Sequence, residues 1–167
     1  RQHWLVSLTD VEAAGGSRRQ IAERLRIGRW NRAEVGVYRL AGSPDGWERR
    51  LLAPILSFGP GAVASHFAAA ALHGIDGFGK GTPELSIPRG GKLRRPAARV
   101  HTSTDLERCD LVERSGIPTT DVARTLLDIG RRLSDKRLHQ AIEDCRRSEL
   151  VTWATMASTL ARHARRG

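Results

Sequence analysis

Cysteine is scarce in this chain: Cys109 and Cys145 stand far apart, with no C-x-x-C element. That leaves no disulfide framework and no thiolate cage for a structural metal. The six histidines fall at no metal-ligand spacing, so no metal site and no cofactor is expected. Lysine appears only at Lys80, Lys92 and Lys136. No apolar run reaches the roughly 18 residues that a membrane span needs, and no secretory signal is visible. Free thiols and the missing signal point to a reducing cytoplasm. The chain opens at Arg1 without a methionine, as a fragment or a trimmed chain would.

Catalytic patterns are missing as well. A metal-dependent nuclease needs clustered carboxylates with a lysine close by. The nearest approach, Glu84-Leu85-Ser86, has serine where Glu-x-Lys would have lysine. The run GIDGFGKGT (74–82) suggests a phosphate loop, but Gly81 separates Lys80 from Thr82 and Pro83 follows. A phosphate loop needs Gly-Lys directly before Ser or Thr, and then a helix. His66 and His73 share an alanine-rich segment without a serine or carboxylate at suggestive spacing, so both read as packing residues. No enzymatic activity is expected.

What the chain has is arginine. Of its 28 cations all but the three lysines are arginine, and against 18 acids the formal net charge is +10. Such a surplus favours a nucleic-acid partner, and arginine suits bidentate contacts to phosphate and guanine. With 167 residues, 40% of them apolar, the chain is long enough for one or two domains with a buried core.

Residues 1–42 form a basic unit with eight arginines against Asp10, Glu12, Glu23 and Glu34. The break GSPDG (42–46) separates it from residues 43–167. Beyond it, helical periodicity covers 47–58, with Pro54 as a candidate kink, and 65–74, between Ser65 and Gly74. Runs 84–88 and 98–103 read as strands flanking the basic loop RGGKLRRPAAR, and 109–114 as a third strand. Three amphipathic helices follow near 120–131, 134–147 and 152–164. Arg124 and Asp128 fall at i and i+4, the spacing of an ion pair orienting its helix.

The basic unit begins with a short helix over 10–14, capped by Thr9 and ended by Gly15 and Gly16. Ser17 then opens a second helix with Gln20 three residues on, the S-x-x-Q capping box. Ile21, Ala22 and Leu25 make one apolar stripe, and Gly28 stops the helix. Two short runs around Gly36, WNRAEV and VYRLA, read as a β-hairpin. Helix, glycine turn, basic helix and hairpin is the grammar of a winged helix-turn-helix. In that fold the second helix enters the major groove and the hairpin reaches phosphates or the minor groove. The candidate DNA-contacting residues are Ser17, Arg18, Arg19, Gln20, Arg24, Arg29 and Arg32. Arg89, Lys92, Arg94 and Arg95 of the basic loop form a candidate second phosphate clamp, with a solvated hairpin tip as the alternative.

The run SRRQIAERLR with GRWNRAEVGVYRLAG resembles the N-terminal winged helix of AbiEi-type antitoxins of type IV toxin–antitoxin systems. ASHFAAAALHGIDG and IPTTDVARTLLDIG resemble two blocks of the second domain in actinobacterial members. The resemblance implies an α+β fold: a winged helix followed by a mixed α/β antitoxin-type domain. It implies binding to inverted repeats in the operon's own promoter, and neutralisation of a nucleotidyltransferase toxin, to which the second domain contributes. Many members carry a Vsr-like nuclease domain after these blocks, and these 167 residues include none. Two other readings stay open: the DNA-targeting portion of such an endonuclease, and an interaction module whose basic face meets an acidic toxin.

Overall fold

The structure, a computed structural model, describes residues 2–90 and 96–164. It is α+β, with seven helices and two sheets among the described residues. The first sheet is antiparallel and contains β1 (Leu5–Ser7), β2 (Trp30–Glu34) and β3 (Val37–Leu40), in the order β1-β3-β2. Helices α1 (Leu8–Ala13) and α2 (Arg18–Arg26) lie between β1 and β2 in the chain.

Ser7, not Thr9, caps α1. Its Oγ accepts the Asp10 N–H at 3.1 Å, while the Asp10 carboxylate accepts the Ser7 N–H at 2.8 Å. Ser7 keeps the extended backbone of β1 (φ −88°, ψ 160°) that a cap requires, whereas Thr9 is already helical, and the closed box satisfies two orphan donors at once. Ser17 and Gln20 build the same box on α2, as the sequence indicates. Ile27 caps the other end of α2, and Gly28 follows it with φ of 71°, a left-handed conformation that favours glycine.

The chain then runs into α3 (Trp47–Phe58), which carries Pro54 inside it. One apolar core gathers Leu51, Leu52 and Ile55 of α3 with Leu5 and Val37 of the first sheet, and with Leu85, Ile87 and Ile117 of the second. Leu51, Val37, Leu85 and Ile117 have no exposed surface, and burying each such side chain contributes roughly 1.5–3 kcal/mol. The core thus runs unbroken past the 42–46 break.

The second sheet has five strands: β4 (Val63–Ala64), β5 (Glu84–Pro88), β6 (Arg99–Ser103), β7 (Leu111–Arg114) and β8 (Ile117–Thr120). Their order is β6-β5-β4-β8-β7. The pairs β5/β6 and β4/β8 are parallel, whereas β4/β5 and β7/β8 are antiparallel. Since β5 and β6 run parallel, the two strands do not form a hairpin. Lys92, Arg94 and Arg95 lie outside the described residues.

Helices α4 (His66–His73) and α5 (Val122–Gly130) pack together, and α6 (Asp135–Arg147) and α7 (Trp153–Ala164) close over α5. They enclose a second core around Ile75, Leu126, Ile129, Ala141 and Cys145. The expected start of α5 at 119–120 is corrected: Thr119 and Thr120 are buried in β8, and Asp121 is the cap, accepting the Arg124 N–H at 2.7 Å.

Candidate nucleic-acid interface

The first sheet and its two helices surround a small core of Ile21, Trp30 and Tyr38, with Val11 and Leu25 packed against it. Trp30 and Tyr38 stack with ring centroids 5.8 Å apart. The Arg24 guanidinium lies over the Trp30 ring at 4.6 Å, a cation–π contact that fixes the side chain while leaving its N–H groups available. Packing of Ile21 and Leu25 inward turns Arg18, Arg19, Ala22, Glu23 and Arg26 to solvent.

These arginines are not equivalent. Arg26 is committed to Glu23 through two bonds of 2.9 and 2.7 Å, and this contact holds Glu23 below the usual carboxylate range. Arg18 makes a 3.7 Å ion pair with Glu12, both well exposed, a contact contributing little. Arg19, Arg24, Arg29 and Arg32 form no ion pair among the described residues and are all exposed. Gln20 is less free than it looks: its Oε1 accepts the Ser17 N–H at 2.8 Å. Ser17, Arg18, Arg19, Gln20, Arg24, Arg29 and Arg32 therefore share one unit. Arg89 is exposed at the end of β5, in the other sheet.

A second concave region lies elsewhere, a cleft of about 950 Å³ bordered by α4, β6, α5, α6 and α7. Its polar side presents His66, His101, Ser103, Asp105, Arg124 and Asp128; its apolar side presents Leu138, Ile142, Trp153 and Leu160. Arg124 is the hub. Its Nε donates to Asp128 at 2.8 Å and its Nη2 to Asp105 at 3.1 Å, and Asp110 lies 3.7 Å from Nη1. His163 reaches Asp105 and Asp110 at 3.0 and 3.1 Å, and Arg162 donates to Asp110 at 2.7 Å. Burial alone would raise Asp105 and Asp110; hydrogen bonds from Ser103, His163 and Arg124 to the one, and from Arg162 and His163 to the other, hold both below 3.8. At Asp128 burial wins over Arg124 and the pKa rises. The i, i+4 ion pair read from the sequence is present, as one part of a larger buried network.

The two histidines of the alanine-rich segment differ. His73 is buried, with Nε2 bonded to Thr120 O at 2.7 Å, as a packing residue would be. His66 instead borders the cleft with φ of 52°, stacked on His101 at 3.6 Å between centroids. Its Nδ1 meets Ser65 Oγ at 2.9 Å, so a serine partner is its immediate neighbour after all. Burial, with help from His101, pushes its pKa down to about 4. The Glu84 carboxylate lies beside this pair, 3.0 Å from His101 Nε2. No spacing in the sequence signals the cluster, because parallel β5–β6 pairing sets Glu84 against Arg99 and Ser86 against His101.

No family model matches the chain, and neither does any curated protein. Among solved structures, the RV2827C protein of Mycobacterium tuberculosis is similar in fold, with a TM-score of 0.51 at 17% identity. The match covers 83% of this chain and 66% of that protein.

Proposed function

We propose that this protein is a DNA-binding transcriptional regulator, with α2 as its reading helix and the β2–β3 hairpin as its wing. The observation that carries the reading is the capped, solvent-facing first turn of α2 with the acid-free arginines Arg19, Arg24, Arg29 and Arg32 around it. Three further features support it. The order β1-α1-α2-β2-β3, with β1 closing onto β3, is the connectivity a winged helix uses. A net charge of +10 supplies the long-range attraction to a polyanion. Arg24 and Trp30 brace the helix against the hairpin, so both meet the duplex as one body.

Within this reading Arg18 and Arg19 contact base edges, Ser17 and Arg24 sit at the groove wall, and Arg29 and Arg32 contact phosphate. Arg89 supplies added, sequence-independent affinity, together with Lys92, Arg94 and Arg95. The chain acts as a cytoplasmic binder and not as an enzyme. Its sequence likeness to AbiEi-type antitoxins supports a finer reading: a type IV antitoxin that binds inverted repeats in its own promoter, with a nucleotidyltransferase toxin as partner. No helix among the described residues is long and apolar enough to cross a membrane.

The test is a gel-shift titration with the chain's own upstream DNA against a shuffled duplex of equal length. The expected result is a shifted band at lower protein concentration on the upstream DNA. Equal shifts on both duplexes would remove the regulator reading, and no shift on either would remove DNA binding altogether.

A further inference from the structure

Three side chains from three different elements converge at the cleft's edge. His66 opens α4, Glu84 opens β5 and His101 lies in the middle of β6. One ligand atom from each lies within 4.8 Å of the other two. We propose that His66, Glu84 and His101 form a binding site for one divalent cation of the zinc class, with its open coordination position facing the cleft. This site is independent of the DNA reading.

The donor set selects the ion. Two imidazole nitrogens and one carboxylate suit zinc, or cobalt as its spectroscopic substitute, whereas magnesium and calcium require oxygen ligands throughout. Bonds of about 2.0–2.2 Å place tetrahedral donors roughly 3.3 Å apart, and the stacked rings of His66 and His101, 3.6 Å apart, have to unstack so that both in-plane lone pairs point at one ion. His101 Nε2 is already 3.0 Å from Glu84 Oε2.

The surroundings fit a held ligand set. With His66 Nδ1 engaged by Ser65 Oγ, Nε2 is the nitrogen that remains for an ion. Ser65 is itself fixed by Ser86, whose Oγ donates to it at 2.8 Å. Such outer contacts orient ligating imidazoles. The left-handed backbone at His66, uncommon for a residue other than glycine, turns this side chain toward the β5–β6 face. Glu84 has only 4% of its side chain exposed, and His66 and His101 border open space on the other side.

Competition is also built in. Arg132 donates to Glu84 Oε2 at 2.7 Å and Arg99 to Oε1 at 3.3 Å. An incoming cation has to displace Arg132 from Oε2. The Arg132 side chain is partly exposed and stacks over Phe67 at 4.3 Å, so it has solvent to move into. Arginine and metal therefore exclude each other at one oxygen, which gives the site a signature that scattered surface binding lacks.

Equilibrium dialysis of the full chain against zinc, with cobalt absorption as a second readout, tests this. The native chain should take up one ion per chain at micromolar zinc, and the cobalt form should show the intense visible bands of a tetrahedral site. His101→Ala and His66→Asn, the latter chosen because asparagine tolerates a left-handed backbone, should each weaken binding roughly tenfold or more. Arg132→Gln should tighten it, while His139→Ala, on an exposed face of α6, should leave it unchanged. Should a histidine variant fail to fold, histidine ring nitrogen signals of the native chain decide: zinc should shift two rings, and only two. Overturning results are no stoichiometric uptake by the native chain, native affinity in His101→Ala, unchanged or weaker affinity in Arg132→Gln, or ring shifts spread over all histidines.

Discussion

Arg19 and Arg32 carry the same charge on different elements, and binding measurements separate what each does. Arg19 sits in the first turn of α2; in the proposed regulator its guanidinium would grip guanine O6 and N7 together, a contact worth roughly 1–3 kcal/mol of discrimination. Arg32 lies on the hairpin, where the proposed wing would meet phosphate. In competition binding at one fixed salt, Arg19→Ala should lower the ratio of operator to random affinity, whereas Arg32→Ala should weaken both alike. An unchanged ratio for Arg19→Ala would take sequence reading away from this turn. Gln20 is a poorer probe, since its amide oxygen also closes the cap on Ser17 and its removal costs about 1 kcal/mol of helix stability. His73 sets a pH response. Burial holds its pKa below 6.5, and its Nδ1 is buried without a partner. A group whose folded pKa is depressed stabilises the fold above its unfolded value, and that share is lost as pH falls through the folded one. Unfolding free energy should thus decline as pH drops from about 6.5, with His66, held down to about 4, contributing over the same window, and His73→Gln should make this slope shallower without abolishing it. A second decline begins below about 3.8, where Asp105 and Asp110 take up protons in the unfolded chain while the folded chain still holds them ionised; a flat profile across both windows would contradict the assignment.

Among the elements, the hairpin depends on its turn and α5 on its anchor. Gly36 has φ of 72° with only Leu8 near an added Cβ, at 3.9 Å, so Gly36→Ala meets backbone strain and no clash. Chemical denaturation should show a loss of about 1 kcal/mol. Arg124 ties α5 to α7 and to the segment before β7, so Arg124→Met leaves Asp105 and Asp128 without their shared cation, while Asp110 keeps Arg162. A loss of roughly 3–5 kcal/mol is expected by the same measurement; a loss below 1 kcal/mol would show the network to be dispensable. The helices were legible because each carries a period and a stop, such as Ser17 with Gln20, or Ser65 with Gly74. The strands β1 and β4 were not, since three and two residues hold no alternation to read. β8 was hidden because its end at Thr120 coincides with the start of the helical period near 120–131, and only pairing with β4 and β7 makes Ile117–Thr120 strand. Thr9 and Ser7 each have an acid three residues on, Glu12 and Asp10, and only the β1 pairing, which shows the chain still extended at Ser7, gives Ser7 the first cap. The cluster of His66, Glu84 and His101 was illegible for a different reason, since strand order, and not spacing, brings it together.

For the whole molecule, charge and core give separate consequences. If the proposed DNA complex neutralises about six phosphates, counterion release makes log K fall against log salt with a slope of roughly −5. Binding indifferent to salt would mean that the net charge of +10 takes no part. The core, meanwhile, joins what the sequence divides. Leu5 and Val37 pack with Leu51, Leu85 and Ile117 in one cluster, and Ser57 Oγ donates to Val35 O at 2.9 Å, linking α3 to the hairpin turn. The segment 42–46 between the two sheets is largely exposed and offers a protease an accessible stretch of backbone. A single nick there would sever the chain without parting it. The two pieces should travel through gel filtration as one particle, come apart only in denaturant, and find each other again when it is removed.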